Sequence, residues 1–256
     1  SVGATINIIL AAVLAEGKTI IHNAAKEIEI VNVVDYLITM GANIEGAGTN
    51  EITITGVNEL HGGKISVLPD RIEAGTYIIL GALCGKDLKI SNIIPEHLEA
   101  LTSKLKEMGV NLIINKDNII VNKVNELKPI NIKTLIYPGF PTDIGQPMSV
   151  LLTKGNGTSL FEETIWENRM GHVPSLNKMG ANIKVNGMNA IINGPTKLKG
   201  CEVIATDLRG GAALVIAVLA AEGTTIITDV EHILRGYENI KGKLTNVGAK
   251  IELKEI

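Results

Sequence analysis

Apolar and polar positions along the chain repeat as one block of helices, glycine turns and short alternating strands. In each copy an amphipathic helix ends at a glycine and an alternating segment follows, as in YLITMGANI, KLKEMGVNL, SLNKMGANI and KLTNVGAKI. These glycines are Gly41, Gly109, Gly180 and Gly248, at intervals of 68, 71 and 68 residues. Glycine suits the left-handed residue that commonly ends a helix. The sequence therefore predicts four copies of one repeat.

Each repeat opens with a second, more apolar helix that also ends in a glycine turn. The copies are GATINIILAAVLAEG, IEAGTYIILGALCG, DIGQPMSVLLTKGNG and DLRGGAALVIAVLAAEG. The stretch from Gly211 to Ala221 is apolar on every face, which indicates a helix inside a core. The strands that follow, such as KTIIHN, KDLKISN and TTIITD, alternate as sheets with one wet face do. We expect an inside-out α/β barrel, with helices inside and sheets outside.

A period near 70 residues bears on how the repeats assemble. Solenoid repeats run roughly 20 to 45 residues, so the longer period favours closure of a few repeats around a shared helical core. The segment Leu68-Pro69-Asp70 interrupts the series after the first copy. We expect 69–256 to form a complete domain of three repeats, and 1–68 to be the last repeat of an incomplete first domain.

Composition and charge exclude several classes of function. The chain is 45% hydrophobic and 20% charged, which is typical of a globular protein. A net charge of −3 and an aromatic content of 3% argue against nucleic-acid or anionic-membrane partners. The apolar runs fall short of the roughly 18 to 20 residues of a bilayer span, and the N-terminus lacks a basic flank before an apolar stretch. We expect a soluble, cytoplasmic protein.

The cysteines and histidines do not indicate a metal centre. Cys84 and Cys201 lie in apolar settings without CxxC spacing, and we interpret both as buried small hydrophobic residues. His172 and His232 lack metal-ligand spacing, so we expect structural roles for them. No disulfide, metal or organic cofactor is predicted.

Several polar residues stand where a site for anions could form. Ser1-Val2-Gly3 precedes an apolar helix, where a hydroxyl and free N–H groups either bind an anion or simply cap the helix. Asp143 begins the third repeat's first helix, where the helix dipole favours a carboxylate, so capping is its alternative role. Arg169, Arg209 and Arg235 lie in loops or at element ends; singly they are typical of surface ion pairs. Together they can bind carboxylate and phosphate groups as bidentate forks.

A set of short motifs carries a family resemblance. SVGAT, PDRIEAGT, GFPTD, ENR, HVP, TDLR and RGYE occur in the order and spacing of the UDP-N-acetylglucosamine enolpyruvyl transferases, which the whole chain resembles. The resemblance starts at about the third of six repeats, in agreement with a chain that begins at Ser1 without an initiator methionine. It implies an inside-out α/β barrel fold, in which two domains of three repeats close on the substrates.

The resemblance also implies an activity. Members move the enolpyruvyl group of phosphoenolpyruvate onto the 3′-hydroxyl of UDP-N-acetylglucosamine, at the start of peptidoglycan synthesis and without a cofactor. Addition precedes phosphate elimination, which requires a base near the hydroxyl and an acid near the methylene carbon. The family's cysteine acid, a Lys-Asn pair and one arginine belong to the missing N-terminal half, and neither Cys84 nor Cys201 matches that cysteine's loop. We therefore expect both substrates and that half as partners, and no turnover by this chain alone.

Roles for individual residues follow from the same resemblance. Asp143 matches the proposed base, Asp207 helps to hold the reacting centre, and Arg235 completes the predicted catalytic set. Ile165 matches a position that lines the uridine-sugar site. The predicted substrate-binding residues are Ser1, Val2, Gly3, Asp143, Ile165, Arg169, Arg209 and Arg235, of which the first three contact the diphosphate and Arg209 and Arg235 lie near phosphoenolpyruvate.

Some positions depart from the family pattern, and other functions stay open. Gly145 stands where a longer polar residue is expected, and Ser175 stands where a carboxylate is usual. Asp70-Arg71 and Glu73 either line the cleft or cap a helix, and we expect a structural role for Glu73. The alternatives are the related transferase acting on a shikimate phosphate, a non-catalytic UDP-sugar-binding paralogue, and a bare scaffold or interaction domain.

Overall fold

The computed structural model describes residues 1–254, which divide into two compact bodies. The N-terminal body comprises Ser1–Pro69 with Ile136–Gly139, and the C-terminal body comprises Asp70–Leu135 with the described residues from Phe140 onward. Each body contains its own cluster of buried apolar side chains. The assignment of the first stretch to an incomplete domain stays a prediction.

The N-terminal body is one repeat of two helices and a three-stranded sheet. Its elements are α1 (Val2–Ala12), β1 (Lys18–His22), α2 (Ile28–Thr39), β2 (Asn43–Glu45) and β3 (Glu51–Thr55). The strands pair antiparallel in the order β1-β3-β2, with Ile21 opposite Ile52. Ile52 and Ile54 are fully buried whereas Glu51 is exposed, because successive strand residues point to opposite faces.

The C-terminal body contains three further repeats. The first is α3 (Arg71–Cys84), β4 (Leu88–Ser91), a 3₁₀ turn (Pro95–Leu98), α4 (Glu99–Glu107), β5 (Leu112–Ile114) and β6 (Asn118–Val121). The second is β7 (Ile132–Lys133), α5 (Thr142–Leu152), β8 (Gly157–Glu162), α6 (Val173–Lys178), β9 (Asn182–Asn186) and β10 (Asn189–Gly194). The third is β11 (Glu202–Ile204), α7 (Leu208–Leu219), β12 (Ile226–Thr228), α8 (Glu231–Leu234) and α9 (Ile240–Asn246).

The opening helices of these three repeats form the centre of the C-terminal body. Helices α3, α5 and α7 contact one another, and α7 is buried without interruption from Gly210 to Ala217. The sheets have the orders β4-β6-β5, β7-β8-β10-β9 and β11-β12. Strands β8 and β10 alternate between exposed and buried residues. The predicted arrangement of helices inside and sheets outside is confirmed here.

The repeated glycines have the predicted conformation. Gly41, Gly109, Gly180 and Gly248 have φ of +98°, +95°, +104° and +97°, which a side chain with a Cβ rarely adopts. The strand predicted after Gly248 is wrong for the described residues, since 249–254 form none. A strand needs a neighbour to pair with, and none of the sheets formed by the described residues includes 249–254.

The two cysteines differ from expectation in their burial. Both are free, but Cys84 is exposed and Cys201 is half-buried, so the interpretation of both as buried is wrong. Cys84 is the last residue of α3, where the helix leaves the core. Within residues 1–254, no helix has the length and apolarity needed to cross a bilayer.

Candidate functional site

The opening helices of the four repeats begin in two different ways. Ser1, Asp70 and Asp207 are N-cap residues, and their side chains accept hydrogen bonds from N–H groups of α1, α3 and α7. Helix α5 begins after Pro141, which makes no side-chain cap. Asp143 is the second residue of α5, and its carboxylate is not used for capping. The capping alternative therefore does not describe Asp143.

The carboxylate of Asp143 contacts two guanidinium groups. Its Oδ1 accepts from Nη2 of Arg169, and its Oδ2 accepts from Nη2 of Arg209 at 3.2 Å. The two arginine side chains are mostly buried, with 19% and 13% of their surface exposed, and that of Asp143 is 38% exposed. The trio carries one positive charge in excess, which favours an anionic ligand beside it.

Arg209 is also held from its other side by a tyrosine. Its Nη1 donates to the hydroxyl of Tyr237 at 3.3 Å, and its guanidinium carbon lies 5.7 Å from the centre of the ring. Thr76 donates its hydroxyl hydrogen to the carbonyl of Ile72, so Tyr237 donates to Thr76 Oγ1 at 3.0 Å. Burial alone would lower the pKa of Arg209, but Tyr237 and Asp143 raise it above its ordinary value. The guanidinium stays charged.

Asp207 is fixed by four donors at the start of α7. Burial alone would raise the pKa of this carboxyl, but its hydrogen bonds outweigh burial and lower it, so Asp207 is ionised. The donors are Gly210 N–H at 2.9 Å, Arg209 N–H at 3.0 Å, the Thr206 hydroxyl at 3.1 Å and the Gln146 amide at 3.3 Å. By capping α7, Asp207 fixes the first turn of the helix and the backbone of Arg209 within it.

A buried polar network lies behind Asp207. Ser149 donates to the carbonyl of Gln146, so the Nε2–H of His172 donates to Ser149 Oγ at 2.7 Å. Burial lowers the pKa of His172 to about 4, so the ring is neutral at pH 7. Oε1 of Gln146 is buried and has no hydrogen-bond partner among residues 1–254. His172 has a structural role in this network.

The loop after β8 contains two of the predicted residues. Ile165 is 41% exposed, so its side chain is available to a ligand. The guanidinium carbon of Arg169 lies 5.8 Å from the centre of the Trp166 ring, and Nε donates to Thr142 Oγ1 at 3.2 Å. Arg169 therefore links this loop to the first turn of α5.

Arg235 does not join the Asp143 cluster, and three further predicted residues belong to the other compact body. Arg235 is exposed at the end of α8, and its side chain makes no hydrogen bond or ion pair with any described residue. In the N-terminal body, Ser1 accepts from Ala4 N–H at 3.5 Å, and Val2 and Gly3 form the first turn of α1. The binding and catalytic roles of these four residues stay predictions.

The departures from the family pattern have different structural settings. A Cβ on Gly145 would lie 2.6 Å from Cζ of Phe161, so that ring occupies the space of the longer side chain. Ser175 lies half-buried in α6. Asp70 caps α3, and Glu73 forms an ion pair with Lys243 at 2.7 Å, in keeping with a structural role for Glu73.

Four residues near Asp143 were missed by sequence reasoning: Thr142, Gln146, Glu163 and Tyr237. For Glu163 a signal was available, because it continues the alternation of Ser159 and Phe161, whose side chains are buried. Tyr237 lies within the RGYE motif itself. Nothing in the sequence singles out Gln146. Among residues 1–254, no group of three or more His, Cys, Asp or Glu side chains is arranged to hold a metal ion.

The fold and the site together define an α/β scaffold of inward helices and outward sheets, with a carboxylate between two guanidinium groups at the start of its inner helices. The family model for EPSP synthase (3-phosphoshikimate 1-carboxyvinyltransferase) matches residues 1–244. The chain belongs to this family.

Curated relatives narrow the comparison. Over 252 residues the chain is 58% identical to UDP-N-acetylglucosamine 1-carboxyvinyltransferase 2 of Bacillus subtilis (strain 168). This match covers 98% of the chain and 59% of the relative. The chain is also 58% identical over 251 residues to UDP-N-acetylglucosamine 1-carboxyvinyltransferase of Clostridium botulinum (strain ATCC 19397 / Type A), covering 98% and 60%. The chain thus spans about three fifths of the length of these relatives.

Solved structures share the fold. The enolpyruvyl transferase NikO from Streptomyces tendae superposes with a TM-score of 0.91 at 27% identity, over 97% of this chain and 59% of that one. EPSP synthase from Acinetobacter baumannii gives a TM-score of 0.77 at 19% identity, over 100% and 62%, and this likeness supports the fold alone. The predicted fold class is confirmed.

Proposed function

We propose that this chain acts, as part of a complete enzyme, in transferring the enolpyruvyl group of phosphoenolpyruvate to the 3′-hydroxyl of UDP-N-acetylglucosamine, a reaction of peptidoglycan synthesis. The observation that carries the proposal is the 58% identity over 98% of the chain to relatives named for this transfer. Both substrates are charged metabolites that do not cross a bilayer unaided, which supports a cytoplasmic location.

The reaction proceeds by addition and elimination. In the first step the oxygen of the 3′-hydroxyl forms a bond to C2 of phosphoenolpyruvate, and the proton of that hydroxyl passes to a base. The methylene carbon of phosphoenolpyruvate takes a proton from an acid. In the second step that carbon loses a proton, the bond from C2 to the phosphate oxygen breaks, and inorganic phosphate leaves. The enzyme must therefore provide a base, an acid and cations that stabilise moving negative charge.

The residues of this chain suit part of that task. Asp143 is the proposed base, and its partial exposure leaves it accessible to a hydroxyl group. Arg209 and Arg169 are fixed cations beside it, suited to carboxylate or phosphate oxygens. Asp207 holds the start of α7 at the reacting centre, and Arg235 is an exposed guanidinium for phosphoenolpyruvate.

The remaining parts of the proposal concern the domain organisation and the UDP-sugar site. We assign 1–68 to the last repeat of a first domain and 69–256 to a complete second domain, so a first half would supply the missing repeats. The cysteine acid and the other phosphoenolpyruvate ligands would come from that half. Ser1, Val2, Gly3 and Ile165 would bind the UDP-sugar.

Complementation tests this function directly. The chain is mixed with a separately produced segment supplying the part of the Bacillus subtilis relative that it does not cover, and phosphate release from both substrates is followed. We expect activity in the mixture and in neither part. Asp143→Asn, which keeps the size of the side chain but removes its charge, should lower the rate at least about 100-fold if Asp143 is the base.

The outcome also separates the alternatives. Stabilisation of the chain by UDP-N-acetylglucosamine without phosphate release from the mixture would replace the proposal with a binding paralogue. Release that requires a shikimate phosphate instead of the UDP-sugar would assign the chain to the related transferase. No stabilisation by either ligand, together with no release, would leave a scaffold or interaction domain.

A further inference from the structure

Glu163, the residue after β8, is a buried carboxylate with an unusual set of partners. It is 2% exposed, and both of its oxygens are engaged. Oε1 accepts from the Thr134 hydroxyl at 2.8 Å and from the N–H groups of Ile165 at 2.7 Å and Trp166 at 3.2 Å. Oε2 accepts from the Thr142 hydroxyl at 2.8 Å. No lysine, arginine or histidine of the described chain forms an ion pair with it.

The first consequence concerns the loop that carries Ile165. Two successive N–H groups of this loop point at one carboxylate oxygen, which fixes the backbone while the side chains of Ile165 and Trp166 stay 41% and 58% exposed. Burying a charge without a cation is costly unless hydrogen bonds satisfy it, and here four donors do so. The loop and the carboxylate therefore hold each other in place.

The second consequence concerns the direction of a hydrogen-bond chain. The hydroxyl of Thr142 has one hydrogen, which it donates to Oε2 of Glu163 at 2.8 Å. The oxygen of Thr142 then presents lone pairs to the Nε–H of Arg169, which donates at 3.2 Å. Arg169 in turn directs Nη2 at Asp143.

We propose that Glu163 is a positioning residue which, through the hydroxyl of Thr142, aims the guanidinium of Arg169 at Asp143 and fixes the adjoining loop. The effect on catalysis rests on the function proposed above, whereas the effect on Arg169 does not. Glu163 acts through other residues and has no contact with reacting atoms in this account.

The variant Glu163→Gln tests the direction of the chain. Oε1 of glutamine can keep its three donors, but the amide that replaces Oε2 donates to Thr142 instead of accepting from it. The Thr142 hydroxyl must then turn its hydrogen elsewhere and compete with Arg169. Glu162→Gln is the matched control, because Glu162 is adjacent and more exposed, and its side chain forms an ion pair with Lys133 at 2.8 Å.

The first readout is independent of activity. Exchange of the Arg169 Nε–H with solvent is measured by ¹⁵N NMR of arginine-labelled protein. We expect exchange to quicken about tenfold in Glu163→Gln, since a hydrogen bond of ordinary strength is lost, and to stay unchanged in Glu162→Gln. Thr142→Val should reproduce the effect, and Thr142→Ser should keep the wild-type rate. Unchanged exchange in folded Glu163→Gln would overturn the proposal; if that variant does not fold, unchanged exchange in Thr142→Val would do so.

The second readout uses the complemented enzyme. Misdirecting Arg169 should lower kcat about 10- to 100-fold in Glu163→Gln with a smaller change in the KM of phosphoenolpyruvate. Equal kcat in a variant whose Nε–H exchange has quickened would overturn the catalytic part alone. If the wild-type mixture releases no phosphate, the proposed function fails, and the NMR comparison still decides whether Glu163 positions Arg169.

Discussion

Helices α1 and α7 begin their repeats with similar apolar sequences but differ in how far they are buried. When Gly17 is aligned with Gly223, Leu10 corresponds to Ile216, and these side chains are 51% and 2% exposed. Ile8 and its counterpart Leu214 are 43% and 1% exposed. Two helices of similarly apolar sequence therefore differ in environment: these side chains of α1 are exposed, and those of α7 are buried.

The difference shows what an apolar helix specifies and what it leaves open. In the C-terminal body, α7 packs against α3 and α5, the opening helices of two sister repeats. The N-terminal body consists of one repeat, and its α1 exposes large apolar side chains of a kind that marks interaction surfaces. This contrast supports the proposal that the first repeat belongs to a larger domain.

The largest predicted effect comes from truncating matched positions of the two helices. Ile216→Ala removes a fully buried side chain and should lower the free energy of unfolding by about 3 to 4 kcal/mol, whereas Leu10→Ala should cost less than about 1 kcal/mol. Urea denaturation followed by circular dichroism measures both. Similar losses for the two variants would contradict the assigned difference in burial.

The second prediction concerns acid, and it should affect only the C-terminal body. His172 has its ordinary pKa of 6.5 when unfolded and about 4 when folded, because burial lowers the pKa more than the nearby Asp207 raises it. The unfolded chain therefore binds the proton first, and stability falls as pH drops from 6.5 towards 4, by ~3 kcal/mol in total. Above pH 6.5 the residue has no effect of this kind.

Hydrogen exchange followed by mass spectrometry resolves the two bodies in this experiment. Peptides of α5 and α7 should lose protection between pH 7 and pH 4.5, after correction for intrinsic exchange, and those of α1 should not. His172→Gln should flatten the loss, even though it removes a buried side chain. An acid response that persists in His172→Gln would assign it to another group.

The smallest effect separates the two helix caps. Asp207→Ala removes a cap held by two N–H groups and should cost about 2 kcal/mol, while Ser1→Ala removes one long hydrogen bond and should cost about 0.5 kcal/mol. Asp207→Asn keeps an acceptor and should restore most of the loss. Chemical denaturation of the three variants checks this order, and equal costs for the two alanine variants would contradict it.

Much of the fold could be predicted because the same pattern of apolar, polar and glycine positions occurs in four copies of the repeat. The positive φ at Gly41, the burial of α7 and the alternation in β8 all follow from the residue types of the segments themselves. The burial of Cys84 and the strand after Gly248 were predicted wrongly, because they depend on where a helix leaves the core and on whether a partner strand exists.

The site was predictable only in part. Motifs pointed to Asp143, Arg169 and Arg209, and the structure brings these three side chains into contact. Arg169 and Arg209 lie 26 and 66 residues from Asp143 along the chain. Arg235 stood beside them in the prediction, yet in the structure it is the neighbouring Tyr237 that contacts Arg209. Gln146 lacks a local signature, and the alternation that marks Glu163 as buried does not identify its hydrogen-bond partners, so only the folded chain shows what these two residues contact.

The uncapped start of α5 shows how much a repeated architecture can vary from copy to copy. A duplicated repeat carries spare copies of every helix start, and a copy can change without loss of the architecture that the others maintain. Ser1, Asp70 and Asp207 each close a helix end with a side chain, whereas α5 begins after Pro141 and its acidic residue, Asp143, pairs with two arginines instead. Repetition therefore leaves room for one copy to give up a structural role that its sister repeats keep, which makes its side chain available for other contacts.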